Sequence, residues 1–160
     1  MMMAGSLNLF PGIKTIIFLI ILLPVVLSSQ TFIELKEETN LGENQILIVM
    51  FQEITACNKC YIIPNNILEC VLKNTDSSAY EVIALVNCNR DIELNIFRKN
   101  KNWVFPLLRD KNELKLLYGL DDKELIAVFD YDGKLIRKYP SGNPANDCHD
   151  LVELINNSLP

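Results

Sequence analysis

The chain has 160 residues, enough for one domain with a sizeable core, and 49% of them are hydrophobic. Its 15 basic and 20 acidic residues give a formal net charge of −5, and no basic stripe appears, which argues against a nucleic-acid partner. Five cysteines, an odd count, leave at least one unpaired or bonded to another molecule.

Only residues 1–28 read as separable. Lys14 precedes Thr15 to Leu27, which is apolar apart from Thr15. A membrane span needs about 20 such residues. This stretch is shorter and has the layout of a secretory signal: a basic flank, an apolar centre and small residues after it. Val26 and Ser28 suit cleavage after Ser28. Cleavage leaves 14 basic against 20 acidic residues, a net charge of −6. The alternative is an uncleaved anchor, with residues 15–27 the only contact with a membrane. Either way residues 29–160 are expected to be exported: periplasmic, secreted, or anchored facing outside the cytosol, where disulfides persist.

Thr31 to Lys36 alternates apolar and polar residues and predicts an edge strand. Gly42 marks a turn. Ile46 to Phe51 is an apolar run, as in a buried central strand, and Gln52 to Ala56 is the loop after it. A helix is predicted from Asn58 to about Lys73, with Ile62, Ile63, Ile67, Leu68 and Val71 on its apolar side. Pro64 lies inside it, so a kink or a delayed start is expected. Tyr80 to Val86 is a second near-continuous apolar strand, suited to a parallel sheet covered on both faces. Asp91 to Arg98 predicts a helix carrying Ile92, Leu94 and Phe97. Trp103 to Leu108 is an extended piece broken by Pro106, and Asn112 to Tyr118 is a short helix stopped by Gly119. Leu125 to Asp130 is a third strand, Asp132-Gly133 a hairpin turn, and Lys134 to Tyr139 the returning edge strand. Pro140 to Asn146 is turn-rich. Asp147 to Leu159 closes the chain as an amphipathic helix with Leu151, Leu154 and Ile155 inward. This order predicts an α/β fold, a central mixed sheet with helices on both faces.

Within that frame the chemistry gathers at Cys57-Asn58-Lys59-Cys60. The pair follows the first central strand and opens a helix. The unpaired N–H groups and positive dipole end of a helix start favour an anion, so a cysteine there loses its proton more easily, and the thiolate is the reactive form. Cys57 is the expected nucleophile and Cys60 the resolving thiol. Lys59 adds a positive charge. The competing readings are an inert structural disulfide and a zinc site. Zinc needs four ligands, usually in two close pairs, whereas Cys70, Cys88 and His149 are scattered singly, so no metal is expected.

Three features resemble the thioredoxin superfamily, closest to its exported TlpA-like thiol–disulfide oxidoreductases and the related redoxin (AhpC/TSA-like) domains. The first is the strand-loop-CxxC-helix unit with Pro64 a few residues on. The second is Tyr118-Gly119-Leu120 followed by Leu125 to Ile136, which is similar to the family's Tyr-Gly-Val block and its Leu-Ile-Asp-x-Asp-Gly-x-Ile hairpin. The third is the spacing between the two. The resemblance covers roughly residues 44–158. It implies a thioredoxin-like domain over 29–160, no cofactor, and a partner that is a protein thiol or disulfide, or an upstream electron donor.

Two positions depart from the family pattern. Glu124 stands where the family has a cis-proline beside the active disulfide. A cis bond before a residue other than proline costs about 2.5–4 kcal/mol, so a trans bond and an altered substrate groove are expected. Ala56 stands where the family tends to have Trp. These departures suit a specialised partner, a peroxiredoxin-like thiol peroxidase, or a redox-inactive binding module. The peroxidase pattern is incomplete, because Thr55 is one residue out of place and no Arg stands near Cys57.

Glu124 and Glu53 are acids that would raise a nearby thiol pKa. Cys88 ends the second parallel strand, on the sheet edge that carries the CxxC loop, as a third thiol, the partner of another cysteine, or a buried bystander. Cys70 reads as core and Cys148 as the opening of the last helix. His149, beside acids, reads as a surface residue.

Overall fold

The computed structural model describes residues 32–39, 41–43, 45–54, 58–101, 105–111, 114–120, 124–140 and 143–158. The side chains of 58–61, 101, 124 and 140 fall outside that description, as do residues 1–31 and so the expected signal or anchor. In chain order the elements are α1 (residues 32–39), β1 (Ile46–Glu53), α2 (Asn58–Asn74), a 3₁₀ turn (Ser77–Ala79), β2 (Tyr80–Asn87), α3 (Asp91–Lys101), β3 (Leu107–Arg109), α4 (Leu114–Leu117), β4 (Glu124–Phe129), β5 (Leu135–Pro140) and α5 (Pro144–Ser158).

The five strands form one mixed sheet in the order β3-β2-β1-β4-β5. β1 pairs in parallel with β2, and β2 with β3, whereas β4 runs antiparallel to both β1 and β5. The two parallel crossovers step in one direction, so their helices lie on one face, as right-handed connections require. Side-chain alternation divides the core accordingly. Ile46, Ile48 and Met50 of β1 pack with Ile67, Leu68 and Val71 of α2, Phe97 of α3, and Leu151 and Ile155 of α5. Leu47, Val49 and Phe51 point the other way, to Phe32 and Leu35 of α1 and Leu114 of α4. Helices therefore cover both faces, as expected.

The expected edge strand over Thr31 to Lys36 is instead helical within 32–39. Alternation would have put Ile33 and Leu35 on one side. The helix turns Phe32 and Leu35, three residues apart, into the core, at 1% and 7% exposure, and leaves Ile33 outside. β1 extends past Phe51 to Glu53, so Gln52 is a strand residue and not a loop residue. α2 starts at Asn58 and runs through Pro64 to Asn74, without the delayed start. Ile62 and Ile92, expected on apolar helix faces, are exposed, while Phe97 is buried. α5 begins three residues before Asp147, with Pro144 as its first residue, where a missing N–H removes no bond.

The shorter predictions fit well. Gly119 ends α4 with φ +60°, and the Leu120 N–H reaches back to the Lys115 carbonyl. In the β4–β5 turn the Asp130 carboxylate accepts from the N–H groups of Asp132 (3.0 Å) and Lys134 (2.8 Å), and Gly133 takes φ +84°. A Cβ at Gly133 would lie 2.5 Å from the ring of Phe32, so this turn and α1 specify each other. Among the described residues no helix is long and apolar enough to cross a membrane.

Candidate functional site

The sheet register brings several chain ends to one edge. β1 ends at Glu53 opposite Asn87, the last residue of β2. α2 begins at Asn58, the residue after Cys57, and contains Cys60 in its first turn. Met50 pairs with Ile126 on the antiparallel β4, so Glu124, at the start of β4, lies at this same edge. Pro140, at the end of β5, pairs with Glu124. The backbone thus gathers the end of β1, the start of α2, Glu124 and Cys88 along one side of the sheet. Cys57 itself and the side chains of Lys59, Cys60 and Glu124 lie outside the described residues. The peptide bond before Glu124 also joins it to an undescribed residue.

Cys88 follows β2 directly and is half-buried, with a free thiol. Burial pushes that thiol above its ordinary pKa. The carboxylates of Glu93 and Asp91 act in the same direction, and Arg109 opposes them. Glu93 is fixed there by the start of α3. Its carboxylate accepts from the N–H groups of Asn89 (3.0 Å) and Arg90 (3.3 Å) and from the Arg90 guanidinium (2.8 Å), which together hold its pKa down. Asp91 pairs with Arg109 at 3.3 Å. Burial first and the acidic neighbours second thus hold Cys88 toward its protonated form, whereas a nucleophile acts as the thiolate. His149 is exposed, as expected of a surface residue, and Glu53, the last residue of β1, is exposed as well. Among the described residues no cluster of His, Cys, Asp and Glu could hold a metal ion.

Two features were not foreseen. Cys70 of α2 and Cys148 of α5 form a disulfide, with Cα atoms 6.2 Å apart and a sequence separation of 78. Cys70 is thus a crosslink rather than a plain core thiol. A signal was present: Cys148, Leu151 and Ile155 share one helical stripe, as do Ile63, Ile67 and Cys70, and both stripes face the same side of the sheet. The second feature is Gln52, 4% exposed at the end of β1, whose side-chain nitrogen has no hydrogen-bond partner.

No family model matches the chain, and no curated protein matches it. Solved structures do. A candidate protein disulfide isomerase from Bacteroides thetaiotaomicron is similar with a TM-score of 0.56 and 21% identity, over 73% of this chain and 75% of its own. A candidate thiol:disulfide interchange protein DsbE from Chlorobium tepidum is similar with a TM-score of 0.55 and 19% identity, over 73% of this chain and 82% of its own. StoA from Bacillus subtilis is similar with a TM-score of 0.53 and 14% identity, over 70% and 83%. The chain has the thioredoxin-like fold shared by these structures.

Proposed function

We propose that the protein is an exported thiol–disulfide oxidoreductase acting on protein disulfides through Cys57 and Cys60. The observation that carries this reading is the start of α2 at Asn58, one residue after Cys57 and five after Glu53, the last residue of the central strand β1. A 17-residue helix supplies a full dipole and unpaired N–H groups at its entrance, which stabilise a thiolate there. The reaction balances without a cofactor. The Cys57 thiolate attacks one sulfur of a substrate disulfide and releases the other as a thiolate. The Cys60 thiol, losing its proton, then attacks Cys57 of the mixed disulfide. The substrate leaves as a dithiol and the enzyme as the Cys57–Cys60 disulfide, so two electrons move to the substrate. The same steps reversed oxidise a substrate dithiol.

Two further observations support the reading. The similar solved structures include a candidate protein disulfide isomerase and a candidate thiol:disulfide interchange protein. The Cys70–Cys148 crosslink suits an oxidising compartment, in keeping with export of residues 29–160 after a signal or anchor at 1–28. Lys59 and Glu124 are then the charges that raise or lower the acidity of the pair.

An insulin-reduction assay with a dithiol donor tests this. The wild type is expected to be active, Cys57→Ser inactive, and Cys60→Ser to accumulate a mixed disulfide. An inactive wild type that traps no partner through Cys60→Ser would overturn the assignment.

A further inference from the structure

Gln52 is the only buried residue carrying a side-chain amide or a charge among the described residues. Its Nε2 is buried without a hydrogen-bond partner. A buried donor left unpaired is destabilising, and folded proteins rarely keep one without cause. Its place in the chain supplies a cause. Ile46, Ile48 and Met50 of β1 face the side of the sheet that α2 covers, and the strand's alternation continues to Gln52. Gln52 is thus the last inward residue of β1 on the α2 side, five positions before Cys57 and six before the start of α2 at Asn58.

We propose that Gln52 is a positioning residue for the Cys57–Cys60 pair, and that its Nε2–H bonds to the thiolate of the reduced form. The inference rests on the redox reading of that pair. When a donor dithiol is oxidised to its disulfide, the Cys57–Cys60 disulfide takes up two electrons. One sulfur keeps a proton, the other stays a thiolate, and the second proton goes to solvent. A disulfide sulfur is a poor acceptor, whereas a thiolate is a strong one, so the amide is left unpaired in the oxidised state and paired in the reduced state. An amide also does not titrate. It stabilises the thiolate at every pH, which a carboxylate at the same position could not do.

Gln52→Met tests this, because it keeps the length of the side chain and removes the donor. The readouts are the thiolate absorbance against pH and the equilibrium with glutathione, in the full chain. The variant is expected to raise the lower thiol pKa by about one unit, and to shift the equilibrium about tenfold toward the disulfide, about 30 mV. It is also expected to raise the Tm of the oxidised protein and to lower that of the reduced protein, which a merely structural role would not do. Gln52→Glu, the alternative should the Met variant not fold, is expected to raise the pKa further. Either variant with an unchanged pKa and glutathione equilibrium, or an equal Tm change in both redox states, overturns the inference. A wild type without Cys57-dependent insulin reduction instead defeats the underlying redox reading, independently of Gln52.

Discussion

The two faces of the sheet are held by different means. On one, three helices of 17, 11 and 15 residues cover the strands, and a disulfide joins α2 to α5. On the other, the cover is α1 over residues 32–39 and the four-residue α4. These short pieces are fixed by specific contacts to one turn. Phe32 lies 5.6 Å from Phe129 between ring centroids, and Tyr118 lies 4.8 Å from Phe129. The Tyr118 hydroxyl donates to the Gly133 carbonyl at 2.8 Å. Lys36 donates to the Tyr131 carbonyl at 2.9 Å and sits over the Tyr131 ring. Long helices hold themselves in register by a repeating apolar stripe. Short ones have too few turns for that and depend on single side chains.

The sharpest break in this comparison is removal of the crosslink. A disulfide closing a loop of 78 residues restricts the unfolded chain by about 4.5 kcal/mol in the entropic account. The double variant Cys70→Ala/Cys148→Ala is therefore expected to lose about 4 kcal/mol in chemical denaturation, with Cys57 and Cys60 untouched. A loss below about 1 kcal/mol would mean that the helix face holds without its covalent tie.

On the opposite face the expected largest single effect is Phe32→Ala. It empties a fully buried aromatic site and is expected to cost about 3 kcal/mol. Gly133→Ala follows at about 2 kcal/mol. It adds a methyl group against the Phe32 ring and forces alanine into the left-handed region. The two effects are coupled. In the Phe32→Ala background the steric part disappears, and Gly133→Ala should cost only about 1 kcal/mol for its backbone conformation. Equal costs in the two backgrounds would separate the turn from α1.

The same contrast explains what the sequence reveals. The face covered by α2, α3 and α5 is legible, because apolar residues recur at helical spacing over many turns and β1 and β2 read as continuous apolar runs. The other face is not. Over Thr31 to Lys36 the short pattern fits an alternating strand, and the contacts that go with the helix, Phe32 with Phe129 and Lys36 with Tyr131, lie far along the chain. The site divides in the same way. The CxxC pair and the Asp-x-Asp-Gly hairpin are local and visible. The Cys70–Cys148 bond is long-range, and a helix stripe treats cysteine as one more small apolar residue. Gln52 escapes because a single polar residue ends the apolar pattern and so reads as the start of a loop.

The smallest expected effect lies beside the crosslink and separates two electrostatic influences on α5. Asp147, next to Cys148, has a buried Oδ2 with no hydrogen-bond partner. Burial pushes its pKa up, the negative charge of Asp150 adds to this, and the Asn143 backbone opposes it. Asp150 itself is occupied, accepting from the Tyr139 hydroxyl at 2.7 Å with the Arg137 guanidinium at 3.7 Å. A carboxyl whose pKa is raised by folding binds more protons in the folded state. Its contribution is fully present below the ordinary value of 3.8 and is lost as pH rises through the raised folded value. Asp147→Asn removes that loss, so the variant should melt higher than wild type at pH 7, and the gap should close as pH falls below the ordinary carboxylate range. The start of α5 works the other way, because a negative charge in a first helical turn is favourable. If Asp147→Asn melts lower at pH 7, the helix dipole outweighs burial, and this end of α5 is held by its charge as well as by its disulfide.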